Sequence, residues 1–138
     1  MFSHVYVGTS DFERALAFYD GLMAELGLVP KFRKRDDEWA GWMKPGEARP
    51  LFLLGRPFDT QAASPGNGQM TAFLVMDRAV VDRAYRYALS RGGRDEGAPG
   101  LRPHYHPDFY GAYFRDLDGN KLCICCHEHV PVSEGAAV

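Results

Sequence analysis

The chain states one plan twice. "SHVYVGTSD" (residues 3–11) and "QMTAFLVMD" (69–77) each set a short β-branched, aromatic or apolar run before an aspartate, and the step from His4 to Asp11 repeats from Met70 to Asp77. Behind each aspartate the apolar spacing changes to that of a helix. Phe12, Ala15, Leu16, Tyr19, Leu22, Met23 and Leu26 share one face after a Ser10 or Asp11 cap; Val80, Val81, Ala84, Tyr85, Ala88 and Leu89 share one after Asp77. Gly27 and Gly93 supply the stops. Strand and helix therefore recur at an offset of roughly 66 residues, which makes the chain a duplication and not a single irregular domain.

Short strands follow each helix. In the first half they are "LVPKFRKR", edge-like because of Pro30, then "EWAGWMK" and "PLFLLGR". In the second half a Gly/Pro-rich stretch, "DEGAPGLRPHYHP", leads to "FYGAYFRD", and the turn "DLDGN" joins this to "KLCICCH" as a hairpin. The expected architecture is α+β: two tandem βαβββ modules forming a curved mixed sheet about a shared cleft. The modules span 1–62 and 70–130, a linker over 63–69 contains "ASPGNG", and 131–138 reads as a flexible tail.

The 138 residues suffice for a packed core, and 25% charged residues with a net charge of −2 give no pull toward nucleic acid or anionic lipid. No apolar run is long enough to cross a bilayer. The opening Met1-Phe2-Ser3-His4 has neither the basic start nor the apolar stretch of a secretion signal. The three cysteines, an odd number, all lie in "KLCICCHEH" (121–129), so no disulfide framework is expected and a cytoplasmic home is. On a strand, Cys123, Cys125 and His127 would share one face, with Leu122, Ile124 and Cys126 on the other. Donors that splay along a strand do not close a tetrahedral zinc cage. The alternative is that cysteine here packs as a small apolar side chain.

Two further groups could carry chemistry. His104 and His106 stand between prolines in "RPHYHPDFY", so both could face one side of a stiffened loop and act as general acid or base; otherwise they pin the loop through backbone hydrogen bonds. Trp39, Trp42, Phe52, Tyr110 and Tyr113 fall on strands that would either fill the core or line an apolar cleft. Arg33, Lys34, Arg35, Arg49 and Arg56 either ring that cleft with positive charge or guard an edge strand.

"SHVYVGTSDFERALAFYDGLMAELGL", "GNGQMTAFLVMD" and "YFRDLDGNKLCICCH" together resemble the glyoxalase/bleomycin-resistance/extradiol-dioxygenase (vicinal oxygen chelate) superfamily, over nearly the whole chain. The stretch "GAPGLRPHYHPDFYGAYFRD" is similar to a bacterial glyoxalase-like branch. The resemblance implies paired βαβββ modules and, in metal-using members, ligands on the first and last strands of each module. These positions fall on His4, Met70, Phe52 and Cys123, so His4 and Cys123 are the implied metal residues. The set is soft, suited to copper(I) or zinc more than to magnesium, manganese or iron. The cofactor is thus left unknown, with one divalent or soft metal ion at low occupancy as the limit. The carboxylate that carries protons in glyoxalase isomerisation is missing from both expected positions.

Two functions follow from the resemblance. One is an enzyme of the lyase/isomerase or dioxygenase type with a degenerate metal site, acting on a small carbonyl or aromatic metabolite, with His104 and His106 as catalytic residues aided by His4. The other is a non-catalytic binder of the bleomycin-resistance type. In both, Tyr6, Trp42, Phe52, Met70, Tyr110 and Tyr113 would contact the small molecule. The expected partners are that ligand and a second copy of the chain, as a homodimer, with no nucleic acid and no membrane.

Overall fold

The structure, a computed structural model, describes residues 1–131. Nearly all of the expected tail lies outside the described residues. Its elements run β1 (His4–Gly8), α1 (Phe12–Glu25), β2 (Val29–Lys34), β3 (Trp39–Met43), β4 (Leu51–Gly55), β5 (Thr71–Val75), α2 (Arg78–Ser90), β6 (Arg94–Leu101), β7 (Tyr110–Arg115) and β8 (Lys121–Cys126). They form two four-stranded sheets of the same plan, β1-β4-β3-β2 and β5-β8-β7-β6. In each, the first strand pairs parallel with the last, and the remaining pairs are antiparallel. This is the α+β fold of two βαβββ modules. No helix among the described residues is long and apolar enough to cross a membrane.

Local chemistry explains the helices. Asp11 caps α1 by accepting from the Arg14 N–H, and Asp77 caps α2 by accepting from the Ala79 N–H. Gly27 leaves α1 with φ +73°, a conformation in which a Cβ is strained. The second stop differs by one residue from expectation: Gly92, at φ +95°, takes the left-handed position. At Gly93 a Cβ would instead press on the Ala88 carbonyl.

The Gly/Pro-rich stretch is also corrected. It begins with a strand, β6, which lacks any alternating pattern because bulges around Gly97 break its register with β7. Its place at the sheet edge lets Pro99 sit in it without removing a bond that a central strand would need.

One apolar cluster runs through both modules, and α1 packs on α2. Tyr87 reaches from α2 over Gly21, where a Cβ would collide with its ring, and donates to the Phe18 carbonyl at 3.2 Å. The turn before β8 ties the modules together. Buried Asp116 accepts from the Tyr19 hydroxyl of α1, from the Asn120 side chain (2.8 Å) and from the backbone N–H groups of Asp118 (2.9 Å) and Asn120 (2.8 Å). Asn120 also donates to the Gly8 carbonyl at 3.0 Å, and Asp118 accepts from the Ser10 N–H at 3.0 Å. The "RDLDGNK" stretch is therefore a clamp between the modules as well as a hairpin turn.

Candidate functional site

Each sheet turns one face to the helices and leaves the other open. In the first sheet Val5, Val7, Ala40, Trp42, Phe52 and Leu54 point toward the helices, so His4, Tyr6, Trp39, Leu51 and Leu53 occupy the open face. In the second, Phe73, Ala112, Phe114, Leu122, Ile124 and Cys126 join the core. Met70, Leu74, Tyr113, Cys123 and Cys125 then lie opposite.

This division corrects three of the expected ligand contacts. Trp42 and Phe52 are 1% and 5% exposed and pack against Tyr19, at ring separations of 6.2 and 5.2 Å. Tyr110 also lies on the helix side, donating to Asp82 of α2 at 2.6 Å. The reason is plain strand geometry: Trp39 and Trp42, like Tyr110 and Tyr113, are an odd number of residues apart and cannot share a face. Phe52 is likewise not the counterpart of Cys123. The parallel pairings His4 with Leu51 and Thr71 with Leu122 put Leu53 at the place that matches Cys123.

A cavity of about 1130 Å³ opens where the two modules meet. Its walls come from β1 (Tyr6), the start of β3 (Trp39), the loop carrying Arg56 and Phe58, residues 63–66 and 68–71 around the linker, and the start of β8 (Lys121). Tyr6 lies across β4 because Gly55 has no Cβ to strike its hydroxyl, which donates to the Arg56 carbonyl at 2.6 Å. Burial pushes the Tyr6 phenol up from its usual value, so it remains a neutral donor. Of the expected contacts, Tyr6 and Met70 line this cavity; Tyr113 stands on the second sheet's open face outside its lining. Trp39, expected on a strand that fills the core or lines the cleft, lies in the wall, and Phe58 is a wall residue that the sequence reading missed. The clue for Trp39 was its spacing from Trp42, whereas nothing in the sequence marked Phe58.

The charged groups around the cavity largely cancel. Arg56 pairs with Glu38 at 2.9 Å, Asp37 stands beside them, and Lys121 lies over the Tyr113 ring at 5.6 Å. The proposed basic rim is neutralised elsewhere too: Arg33 bonds Asp20 at 2.8 Å and Arg35 bonds Glu13 at 3.0 Å.

The expected metal positions do not form a site that suits the fold family's ions. His4 is exposed and bonded to the Ser3 hydroxyl at 3.0 Å, on the first sheet, while Cys123 is buried on the second. Leu53 offers no donor and Met70 offers only a thioether, where magnesium, manganese or iron would need oxygen or imidazole. Among the described residues no three His, Cys, Asp or Glu side chains come together in a geometry that could hold a metal ion.

The loop histidines part company. His104 lies against the Tyr105 ring, with centroids 4.2 Å apart and planes tilted by 44°. His106 turns to β8, with its Nε2 at 2.6 Å from Nδ1 of His127, and neither loop histidine lines the cavity. Nε2 of His127 lies 3.7 Å from the Cys125 sulfur. The neighbouring Cys123 thiol and then His127 draw the Cys125 thiol below its usual pKa, with burial opposing; Cys123 is driven up in turn by Cys125 and by burial. The Tyr113 phenol beside them is pushed up to about 12, chiefly by burial and then by Cys123.

The comparisons agree with the fold. Residues 1–124 match the family model of the Glyoxalase/Bleomycin resistance protein/Dioxygenase superfamily. No curated protein matches. A crystal structure of a glyoxalase/bleomycin resistance protein from Albidiferax ferrireducens T118 is 33% identical, covering 93% of this chain and 99% of its own, with a TM-score of 0.79. A glyoxalase-related enzyme from Fulvimarina pelagi (20% identity, 97% and 93% coverage, TM-score 0.69) and a lactoylglutathione lyase from Agrobacterium tumefaciens (19%, 91% and 92%, 0.60) share the fold. The chain belongs to the glyoxalase/bleomycin resistance protein/dioxygenase superfamily.

Proposed function

We propose that the protein binds a small, planar, largely apolar molecule in the cavity between its modules, without help from a metal ion. One observation carries this reading: the cavity is walled by Tyr6, Trp39, Phe58 and Met70, whereas the positions that the resemblance assigns to metal present His4, Met70, Leu53 and Cys123, with a single imidazole and no carboxylate among them. Aromatic walls with a few polar groups are what a ring-bearing ligand needs for stacking and orientation. The nearby charges, Asp37 and Glu38 against Arg56 and Lys121, sum to zero, so a strongly charged ligand gains nothing from them. The Tyr6 hydroxyl and the Lys121 ammonium are the groups that would orient a polar end. This supports the binding function over the enzymatic one, because His104 and His106 lie away from the cavity. Leu74 and Met76 at the β5 edge, 65% and 66% exposed, support a second copy as partner.

The test uses the two tryptophans. Trp39 lies in the wall and Trp42 is buried, so quenching by a panel of small bicyclic aromatics reports on Trp39. Saturable quenching that persists with a chelator is expected. In Trp39→Ala, which lacks the reporting ring, titration calorimetry should find binding about tenfold or more weaker, the loss of one stacked aromatic anchor. Binding that appears only after manganese, zinc or iron is added would overturn the reading.

A further inference from the structure

At the opposite end of β8 from Lys121, a second site has no part in the binding reading. Cys125 lies at the floor of a nest of rings. Phe109 sits in the space left by Gly111, where a Cβ would meet its ring at 2.8 Å and the Cys125 Cβ at 3.6 Å. The Phe109 ring stands 5.1 Å from His127, 5.8 Å from His106 and 5.0 Å from Tyr105. His106 and His127 lie nearly coplanar, 25° apart with centroids at 4.9 Å, and meet edge to edge through their nitrogens.

The hydrogen bonds in this nest have a fixed direction. The Asp108 backbone N–H can only donate, and it donates to Nδ1 of His106 at 3.1 Å. A neutral His106 therefore carries its proton on Nε2 and gives it to Nδ1 of His127 at 2.6 Å. His127, accepting on Nδ1, carries its own proton on Nε2, which faces the Cys125 sulfur at 3.7 Å. Both imidazole N–H groups thus run toward that sulfur. The Cys125 S–H in turn donates weakly to the Phe73 carbonyl, also at 3.7 Å. Cys125 is itself 5% exposed, and its ring partner His127, just past the end of β8, is exposed, so the floor of the nest is reached past that ring.

The other two cysteines differ. Cys126 is turned into the core cluster, and Cys123 is 1% exposed opposite Tyr113. Cys123 and Cys125 point the same way from alternate positions of one strand, so their Cβ atoms stay about 6.6 Å apart, beyond the roughly 4.5 Å that a disulfide spans without bending β8. All three are free.

We infer that Cys125 is a covalent capture site for small, planar α,β-unsaturated carbonyl compounds, held against Phe109 and the His106–His127 pair. The sulfur forms a C–S bond at the β-carbon while the C=C π bond breaks. The resulting enolate takes up, through solvent, the proton that the thiol gave up, so no oxidant or reductant enters. The His127 N–H acts as a donor that holds a lone pair of the sulfur in place, and not as the base.

The full chain, native, is treated with less than one equivalent of N-ethylmaleimide, and the adduct is located by peptide mass spectrometry. One adduct, on Cys125, is expected. His127→Phe keeps the ring and removes the donor; its labelling rate should fall about tenfold, the worth of one hydrogen bond to a charged group. Its thiols should label fully once the chain is unfolded. Circular dichroism confirms that the variant is folded. First labelling at Cys123 or Cys126, no labelling before unfolding, or an unchanged rate in folded His127→Phe would each overturn the assignment.

Discussion

The two modules agree on their helix sides and disagree on their open sides. Toward the helices, Trp42, Phe52 and Leu54 of the first sheet correspond to Phe114, Leu122 and Ile124 of the second, apolar throughout. On the open sides, the first sheet presents Tyr6, Trp39 and Leu53, and the second presents Tyr113, Lys121, Cys123 and Cys125. Duplication fixed the packing that both halves need to fold, because a strand–helix unit must bury one face whatever else it does. It left the open faces free to diverge, one into a cavity wall and one into a row of sulfur and phenol groups. Function in this fold is thus a property of faces and not of modules.

The sharpest way to break that comparison is to cut one tryptophan on each side of β3. Trp42→Ala leaves a hole among Tyr19, Phe52 and the α1 side chains and should lower the unfolding free energy by about 3–5 kcal/mol. Trp39→Ala removes a half-exposed wall residue whose nearest ring is Phe32 at 4.5 Å, and should lower it by only about 1 kcal/mol. Urea denaturation of both variants decides the matter. Equal losses would mean that the open face of the first sheet is core in all but name.

These faces show what could be read from the chain before its structure. The helix stripes were legible because an amphipathic helix must repeat its apolar residues at a fixed step, and residues such as Leu16, Tyr19 and Met23 are buried accordingly. The split of "KLCICCH" into Leu122, Ile124 and Cys126 against Cys123 and Cys125 was legible from alternation. The same rule, applied to Trp39 and Trp42, puts them on opposite faces, so only one of them could have been a ligand contact. β6 was illegible for a physical reason: its bulges at Asp95, Gly97 and Gly100 abolish the alternation on which recognition of a strand depends. The meeting of His106 with His127 joins a loop to the residue after a strand, and no local pattern records such a contact.

A milder cut sharpens the comparison within one strand. Cys126→Ser places a hydroxyl among apolar side chains and should lower stability by about 1–3 kcal/mol. Cys123→Ser should be tolerated better, by about 1 kcal/mol or less, because the phenol of Tyr113 across the strand pair offers the new hydroxyl a partner. Thermal unfolding of the two variants side by side measures the difference. The reverse order would exchange the two faces of β8, and with them the open location of Cys125.

The smallest effect concerns Asp116, the group on which both modules are clamped. Burial raises its carboxyl above the usual value, and the hydrogen bonds from Tyr19, Asn120 and the turn backbone only partly offset that. A carboxyl whose folded pKa is raised favours the fold most when protonated. Its contribution is complete below the unfolded value and falls as pH rises through the folded one. The exposed carboxylates run the other way: Asp95, held by the Gly97 N–H, and Glu96, held by Arg115, are lowered, so their contributions are lost as pH falls. The total pH profile mixes both signs, and the difference between parent and Asp116→Asn isolates the clamp. Asparagine keeps one oxygen for the turn N–H groups but turns an N–H toward the Asn120 amide, so the variant is less stable at every pH. The gap in melting temperature should be widest in acid and narrow toward neutral pH, because only the parent gives up stability as Asp116 ionises. A gap that widens toward neutral pH would show instead that ionised Asp116, fed by four donors, is the form that the fold prefers. The clamp would then be an anion site built on the turn and not a buried neutral acid.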